Sequence, residues 1–248
     1  MTVNSPKLSM SVTAIVTCMT EDELPFVREA IYSVQRQTYA CELLVMAPEG
    51  NATILSYFGG LGGAFTLYPV PMYPAGIVRN LAVARAITEW VAFLDGDDMW
   101  TPTKTERQLV AAEETGSPFI GTRHLLIRED GTPFFYAFAK RMSMPSSWMV
   151  KRDLLVDVPF LDRAGWEDVE LLQRIEGKGI QTYTLKDYCV HYRVRRLSNS
   201  TRYTGPKHRK YRFAKISTIV GVRPALLISS RAWSLLNPPL NTRPRQII

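Results

Sequence analysis

The residues of this chain best suited to chemistry are the carboxylates of Phe93-Leu94-Asp95-Gly96-Asp97-Asp98. Three acids directly follow the apolar run Trp90 to Leu94, which reads as a buried strand. A strand ending in clustered acids brings like charges together at a sheet edge, a cost that a bound cation removes. Hard carboxylate oxygens suit Mg²⁺ or Mn²⁺, and these ions in turn hold phosphates. For an isolated D-x-D-D the competing reading is an acidic turn in water. A second pair, Glu167-Asp168, stands where a helix is expected to begin. There the macrodipole favours a carboxylate and lowers its pKa, whereas desolvation in a closed site raises it. The pair is therefore either a base or a partner of the helix dipole.

The elements that would position these acids follow from apolar patterning. Val12 to Val16 reads as a buried strand, and Asp22 as the N-cap of a helix with Pro25 in its first turn. Leu24, Val27, Ile31 and Val34 share one face of that helix. Leu43 to Met46 reads as a second strand, and Gly59-Gly60-Leu61-Gly62-Gly63 as a flexible loop without phosphate-cradle spacing. A helix from about Gly76, with Ile77, Leu81 and Ala84 facing inward, leads into Trp90 to Leu94. This β-α-β-α-β progression predicts a parallel sheet flanked by helices, with ligands beyond the carboxyl ends of the strands. Thr17-Cys18 and Asp95 to Asp98 lie at those ends.

The second part reads as mixed. Thr101-Pro102 predicts an N-cap with Pro at N1, opening a helix that closes near Gly116. Phe119 to Arg128 and Pro133 to Phe138 flank the hairpin signal Asp130-Gly131. A helix starts around Gly165 to Asp168, carries Leu171, Leu172 and Ile175 on its apolar face and ends at Gly177 or Gly179. Thr182 to Leu185 and Tyr188 to Tyr192 read as two further strands.

Composition bounds the class. The 248 residues are 46% hydrophobic and 10% aromatic, enough for a sizeable core. Cys18, Cys41 and Cys189 lack disulfide or metal spacing and predict a reducing compartment. Met1 to Met10 lacks the apolar core of a signal peptide, and no run of apolar residues is long enough to span a membrane. These features predict a cytoplasmic protein. After Asp187 no acid occurs, and 13 of the 30 Lys and Arg lie between Arg193 and Arg245. The first 187 residues thus hold 17 basic and 23 acidic groups, a formal −6, against a net +7 for the whole chain. The basic tail is a candidate contact to anionic lipid, nucleic acid, an acidic partner or a substrate diphosphate, or else folds onto the acidic body.

Four pieces in order resemble the nucleotide-sugar glycosyltransferases of the GT-A fold, in particular the inverting family 2. Val12 to Thr17 with Leu24 to Thr38 is similar to that family's opening strand and R-E-A-I-x-S-V-x-x-Q-T helix. Arg79-Asn80 with Phe93 to Asp98 resembles its R-N and F-L-D-x-D-D segments. Trp166 to Leu171 resembles its E-D-x-x-L motif, and His191-Tyr192-Arg193 with Asn199-Ser200 its closing Y-R and N-S. The resemblance covers about residues 10 to 201 and implies one GT-A (Rossmann-like) domain with a mixed, mostly parallel sheet. Residues 1–100 would then be the donor-binding half, 101–201 the acceptor and base half, and 202–248 a basic extension. One departure stands out. The family's second strand ends in an acidic pair that reads the nucleotide base, whereas this chain has Val45-Met46-Ala47-Pro48-Glu49. Either Glu49 or Asn51 substitutes, or the base is recognised differently.

The resemblance implies transfer of a sugar from a nucleotide diphosphate sugar to the hydroxyl of a glycan, protein or lipid acceptor, with inversion. It assigns Asp97 and Asp95 to a DXD-type site for Mn²⁺ or Mg²⁺, Asp95 also to ribose, and Asp98 to their support. Asp168 becomes the general base, with Glu167 as the alternative. Arg79 would bind diphosphate or orient Asp95, or else pair with Glu89 or another acid. Asn80 would bind donor or serve structure. Thr17 and Glu21 would contact base or ribose, and His191 would be a further metal or phosphate ligand or structural. Trp148 and Trp166 would stack on an acceptor sugar or pack in the core. Arg193, Arg195 and Arg196 would cover the diphosphate. Outside this class stand a non-catalytic sugar-nucleotide or glycan-binding module and a nucleic-acid-binding protein acting through the tail. The chain lacks helix-turn-helix, zinc and aromatic RNA-binding signatures for the last.

Overall fold

The computed structural model describes residues 10–137 and 144–195, with side chains described for 10–133 and 144–195. The expected readings of Phe138, Arg196, Asn199, Ser200 and the tail 202–248 lie outside the described residues. β1 (Val12–Thr17) opens the fold as an apolar run buried from Val12 to Val16. A 3-10 turn, Glu21–Glu23, follows. Thr20 caps this turn, and Glu23 reaches back to accept from the amides of Met19 (2.7 Å) and Thr20 (2.9 Å), so the helix that follows has Glu23 at its N-cap rather than the expected Asp22. In α1 (Leu24–Gln35), Val27, Ile31 and Val34 are buried, as their spacing predicts. Next comes β2 (Glu42–Pro48).

The expected Gly59–Gly63 loop is partly helical. α2 (Ala52–Leu61) is capped by Asn51, whose side chain accepts from Ile54 N at 2.9 Å, and Ile54 and Phe58 anchor it in the core. That anchoring carries the helix through Gly59 and Gly60, and the chain leaves it at Gly62, at φ 61°. β3 (Thr66–Val70) gives little sequence signal because only Val70 is buried. In α3 (Ala75–Arg85) the inward face is Val78, Ala82 and Val83, one residue on from the expected set, and Ala84 is exposed. β4 (Trp90–Asp95) and the short β5 (Met99–Trp100) follow. α4 (Lys104–Thr115) has Thr103 at its N-cap rather than Thr101, and ends at Gly116 in the left-handed region as predicted.

β6 (Phe119–Ile127) and β7 (Pro133–Ala137) form the expected hairpin arms. A 3-10 turn at Pro145–Ser147 then leads to β8 (Met149–Lys151), α5 (Arg152–Asp157) and α6 (Glu167–Gly177). β9 (Thr182–Arg193) is one continuous strand where two were expected.

The sheet order is β3-β2-β1-β4-β8-β6-β9-β5, with β7 on β6. β3, β2, β1 and β4 run parallel, while β8 is antiparallel to β4 and to β6, and β5 to β9. Alternation along the parallel strands divides the core. Ala14, Val16, Val45 and Leu94 pack with α1, α2 and α4, whereas Ile15, Met46, Val91 and Phe93 pack with α3, α5 and α6. The described residues fall into two compact units, 10–124 with 144–192, and 125–137 with 193–195. In the second unit, Arg193 donates to the carbonyls of Glu129 (2.6 Å) and Arg128 (3.4 Å). Among the described residues no helix is long and apolar enough to cross a membrane.

Candidate active site

Thr17 and Asp95 end the neighbouring parallel strands β1 and β4 directly opposite each other. The turn after β4 is pressed onto β1: Gly96 N donates to Thr17 O at 2.8 Å, and Asp98 N closes onto Asp95 O at 3.0 Å. A Cβ on Gly96 would lie 2.8 Å from the Thr17 carbonyl oxygen, so only glycine lets the acids come so near β1. Asp98 is fully buried and Asp97 nearly so. The amide of Asp95 donates to Ser146 Oγ at 3.1 Å.

A buried polar scaffold lies beneath the turn. Trp100 Nε1 donates to Ser146 O (2.8 Å), Gln108 Nε2 donates to Ser147 O (3.0 Å) and Ile120 O (2.7 Å), and Lys104 Nζ donates to Gln108 Oε1 (2.7 Å). The Lys104 ammonium also lies 3.9 Å from the Trp100 ring centroid. Burial pushes Lys104 down to about 7, although nearby Cys189 and Cys41 favour its charge. Burial pushes the Cys41 thiol up to about 11. No sequence signal marked Ser146, Lys104 or Gln108, because ordinary polar residues reveal such a role only through partners distant in sequence.

Arg79 joins the two acidic segments. On α3 its guanidinium donates to Asp95 Oδ1 at 2.8 Å and to Glu167 Oε1 at 3.0 Å. Burial opposes its charge, but the two carboxylates more than offset this and hold it protonated above its ordinary value. Both side-chain bonds of Asp95 fall on Oδ1, since Thr17 Oγ1 also donates there, at 3.4 Å. Of the expected partners of Arg79, Glu89 is taken by Lys151 at 3.1 Å.

α3 and α6 approach closely at Gly76, where a Cβ would meet Phe160 Cβ at 2.9 Å and Glu167 Cγ at 3.4 Å. Asn80 fixes the same segment, exchanging bonds with Phe160 O (2.8 Å) and Phe160 N (3.0 Å), which is the structural alternative for this residue. Asp168 follows Glu167 in the first turn of α6 and accepts from Val169 N at 2.8 Å. Burial raises its pKa and Glu167 raises it further, while the Val169 amide and Arg79 pull it back less. Desolvation therefore wins over the helix terminus at this carboxylate.

Glu21 and Asn51 meet beyond the ends of β1 and β2, with Asn51 Nδ2 donating to Glu21 Oε1 at 2.9 Å. Glu49 is exposed beside them, and its amide donates to Val70 O at 2.8 Å. His191 on β9 is paired with Met99, two residues beyond Asp97. The two tryptophans separate. Trp148 is fully buried, 5.0 Å from Phe119 and stacked 6.3 Å from Phe160 between ring centroids, so its expected contact to an acceptor gives way to core packing. Trp166 is exposed. Arg193 is likewise corrected: it is buried on the hairpin carbonyls rather than poised over a diphosphate.

Among the described residues no group of three His, Cys, Asp or Glu is gathered to hold a metal. Two hard carboxylates at a turn still fit Mg²⁺ or Mn²⁺, which take one or two carboxylates with the rest of their ligands from phosphate and water.

No family model matches this chain. It is 30% identical over 113 residues to TuaG of Bacillus subtilis (strain 168), named as a glycosyltransferase of teichuronic acid biosynthesis. The match covers 44% of this chain and 45% of TuaG. Among solved structures, S. aureus TarS (residues 1–349) in complex with UDP-GlcNAc superposes with a TM-score of 0.64 at 17% identity, over 84% of this chain and 66% of that one. The mannosyltransferase PcManGT of Pyrobaculum calidifontis, with GDP-Man and Mn²⁺, superposes with a TM-score of 0.63 at 14% identity, over 94% of this chain and 74% of that one. The chain thus spans less than half of TuaG and just under two thirds of that TarS structure.

Proposed function

We propose that this chain, whose fold is the GT-A fold of nucleotide-sugar glycosyltransferases, moves a sugar from a nucleotide diphosphate sugar to an acceptor hydroxyl with inversion. The observation that carries the reading is the buried Arg79, which ties the acids of β4 to those of α6 in one site. A fold alone does not assign chemistry, and the convergence of carboxylates beyond the strand ends is what supports this one. The match to TuaG, and neighbours that bind UDP-GlcNAc and GDP-Man, support a nucleotide-sugar donor.

In this reading Asp95 and Asp97 hold Mn²⁺ or Mg²⁺, which when bound neutralises charge on the leaving diphosphate. Arg79 keeps Asp95 oriented. Glu21, fixed by Asn51, reads the base in place of the acidic pair missing from β2, with Glu49 beside it. Thr17 lines the same end of β1. Asp168 takes the proton of the acceptor hydroxyl as that oxygen attacks the sugar's anomeric carbon and the bond to the diphosphate breaks. Its raised pKa suits it to accepting a proton, and a positioned base contributes about 10²–10⁴-fold in rate.

Two variants separate these roles. Asp168→Asn abolishes transfer and leaves donor affinity unchanged, while Asp97→Ala weakens metal-dependent donor binding, both read by calorimetric titration beside a transfer assay. Equal loss of donor binding in the two variants would overturn the assignments.

A further inference from the structure

Trp166 is the only non-glycine residue with positive φ among the described residues, at φ 62°, directly after Gly165 at φ 79°. For a bulky side chain this region is a genuine outlier, because Cβ crowds the following carbonyl. Helix capping does not account for it. Trp166 is the N-cap of α6 and its carbonyl takes Glu170 N at 3.0 Å, but its side chain makes no cap bond. An extended Ser, Thr, Asp or Asn is the ordinary solution at such a position. In this conformation Trp166 is 51% exposed, two residues from Asp168.

Exposed apolar side chains are concentrated on the segments that meet near the start of α6. The starts of α3 and α6 and the Phe160–Leu161 segment converge at Gly76, where an added Cβ would lie 2.9–3.4 Å from Phe160, Leu161 and Glu167. These segments contribute Met72, Tyr73, Leu161 and Trp166, four of the nine large apolar side chains exposed among the described residues. Such concentration beside the half-buried carboxylates Glu167 and Asp168 fits a binding surface rather than scattered exposure.

We propose that Trp166 is the stacking platform for a pyranose ring of a carbohydrate acceptor, held out by the left-handed turn so that a ring hydroxyl meets Asp168. A pyranose presents a face of C–H groups that fits the apolar face of an indole, and a rim of hydroxyls that fits neighbouring carboxylates. An acyl chain would instead leave Asp168 desolvated against hydrocarbon. The proposal deepens the glycosyltransferase reading and rests on Asp168 being its base.

The test compares wild type, Trp166→Gly and Trp166→Phe. Glycine adopts φ 62° without strain, so Trp166→Gly folds with a Tm at or above that of wild type. Against methyl and p-nitrophenyl pyranosides its acceptor KM rises about tenfold with kcat little changed and donor hydrolysis intact, while Trp166→Phe keeps most of the affinity. A wild-type KM in Trp166→Gly, or a lowered Tm with loss of donor hydrolysis, overturns the platform. Quenching of indole fluorescence by the same pyranosides, present in wild type and lost in Trp166→Phe, reads the platform without turnover. Quenching without any transfer sinks the catalytic reading alone, and transfer that ignores Trp166 sinks the platform alone.

Discussion

Glu167 serves two opposed ends. Its carboxylate holds Arg79 at 3.0 Å, and its charge raises the neighbouring Asp168, whose carboxyl burial has already pushed above the ordinary aspartate value. A base must be ionised to work, so the acid limb of the transfer rate lies above the ordinary value of about 3.9. Glu167→Gln keeps an acceptor for Arg79 and removes the repulsion, while the pull of Arg79 on Asp168 persists. The limb of kcat/KM against pH therefore moves to lower pH. A limb that stays or moves up would show that Asp168 is not the titrating group. Residue-level ambiguity in the sequence has the same physical root. Arg79 had several acids within reach on paper, and only folding brought it to partners 16 and 88 residues away while Lys151 took Glu89. Trp148 and Trp166 were equivalent candidates until packing buried one and exposed the other.

At the scale of elements, the β4 turn depends on its contact with β1 and on the scaffold below. A methyl at Gly96 meets a backbone oxygen that cannot swing aside. Gly96→Ala therefore costs about 1–3 kcal/mol in urea denaturation and lowers donor affinity by shifting Asp97. An alanine variant unchanged in both would contradict the packed turn. Under it, Lys104 on α4 is pushed down to about 7 by burial, whereas an unfolded lysine titrates near about 10.4. Between these values the unfolded chain holds a proton that the folded chain lacks, so this group makes stability rise with pH across that window. Below it both states are protonated and the burial penalty is fully present. Thermal denaturation at pH 6 and pH 9 should show a higher Tm at pH 9, with the difference reduced in Lys104→Met. An undiminished difference in Lys104→Met would assign the effect elsewhere.

For the molecule as a whole, the half of the fold that carries long apolar runs was readable in advance. β1, α1 and β4 declare themselves by period and length, and their parallel order places the acids at the strand ends. β3 and β8 were not readable, one because it is barely buried and the other because it has three residues. The helix α2 hid behind its own glycines, since the Asn51 cap and the Phe58 anchor outweigh a local loop signal. Charge asymmetry is a property of this scale too. With 13 Lys and Arg after Asp187 and no acid, the chain should sediment with anionic vesicles at low salt, lose them as salt rises, and ignore neutral ones. Retention at high salt would remove the electrostatic account. The central claim, a metal-dependent donor site at Asp95 and Asp97, is tested most directly by calorimetric titration with UDP-, GDP-, dTDP- and CMP-sugars, each with Mn²⁺, Mg²⁺ or chelator. The account predicts saturable binding of one nucleotide class that needs the metal and is lost in Asp97→Ala. Binding that is indifferent to chelator, or no binding of any donor, would contradict it.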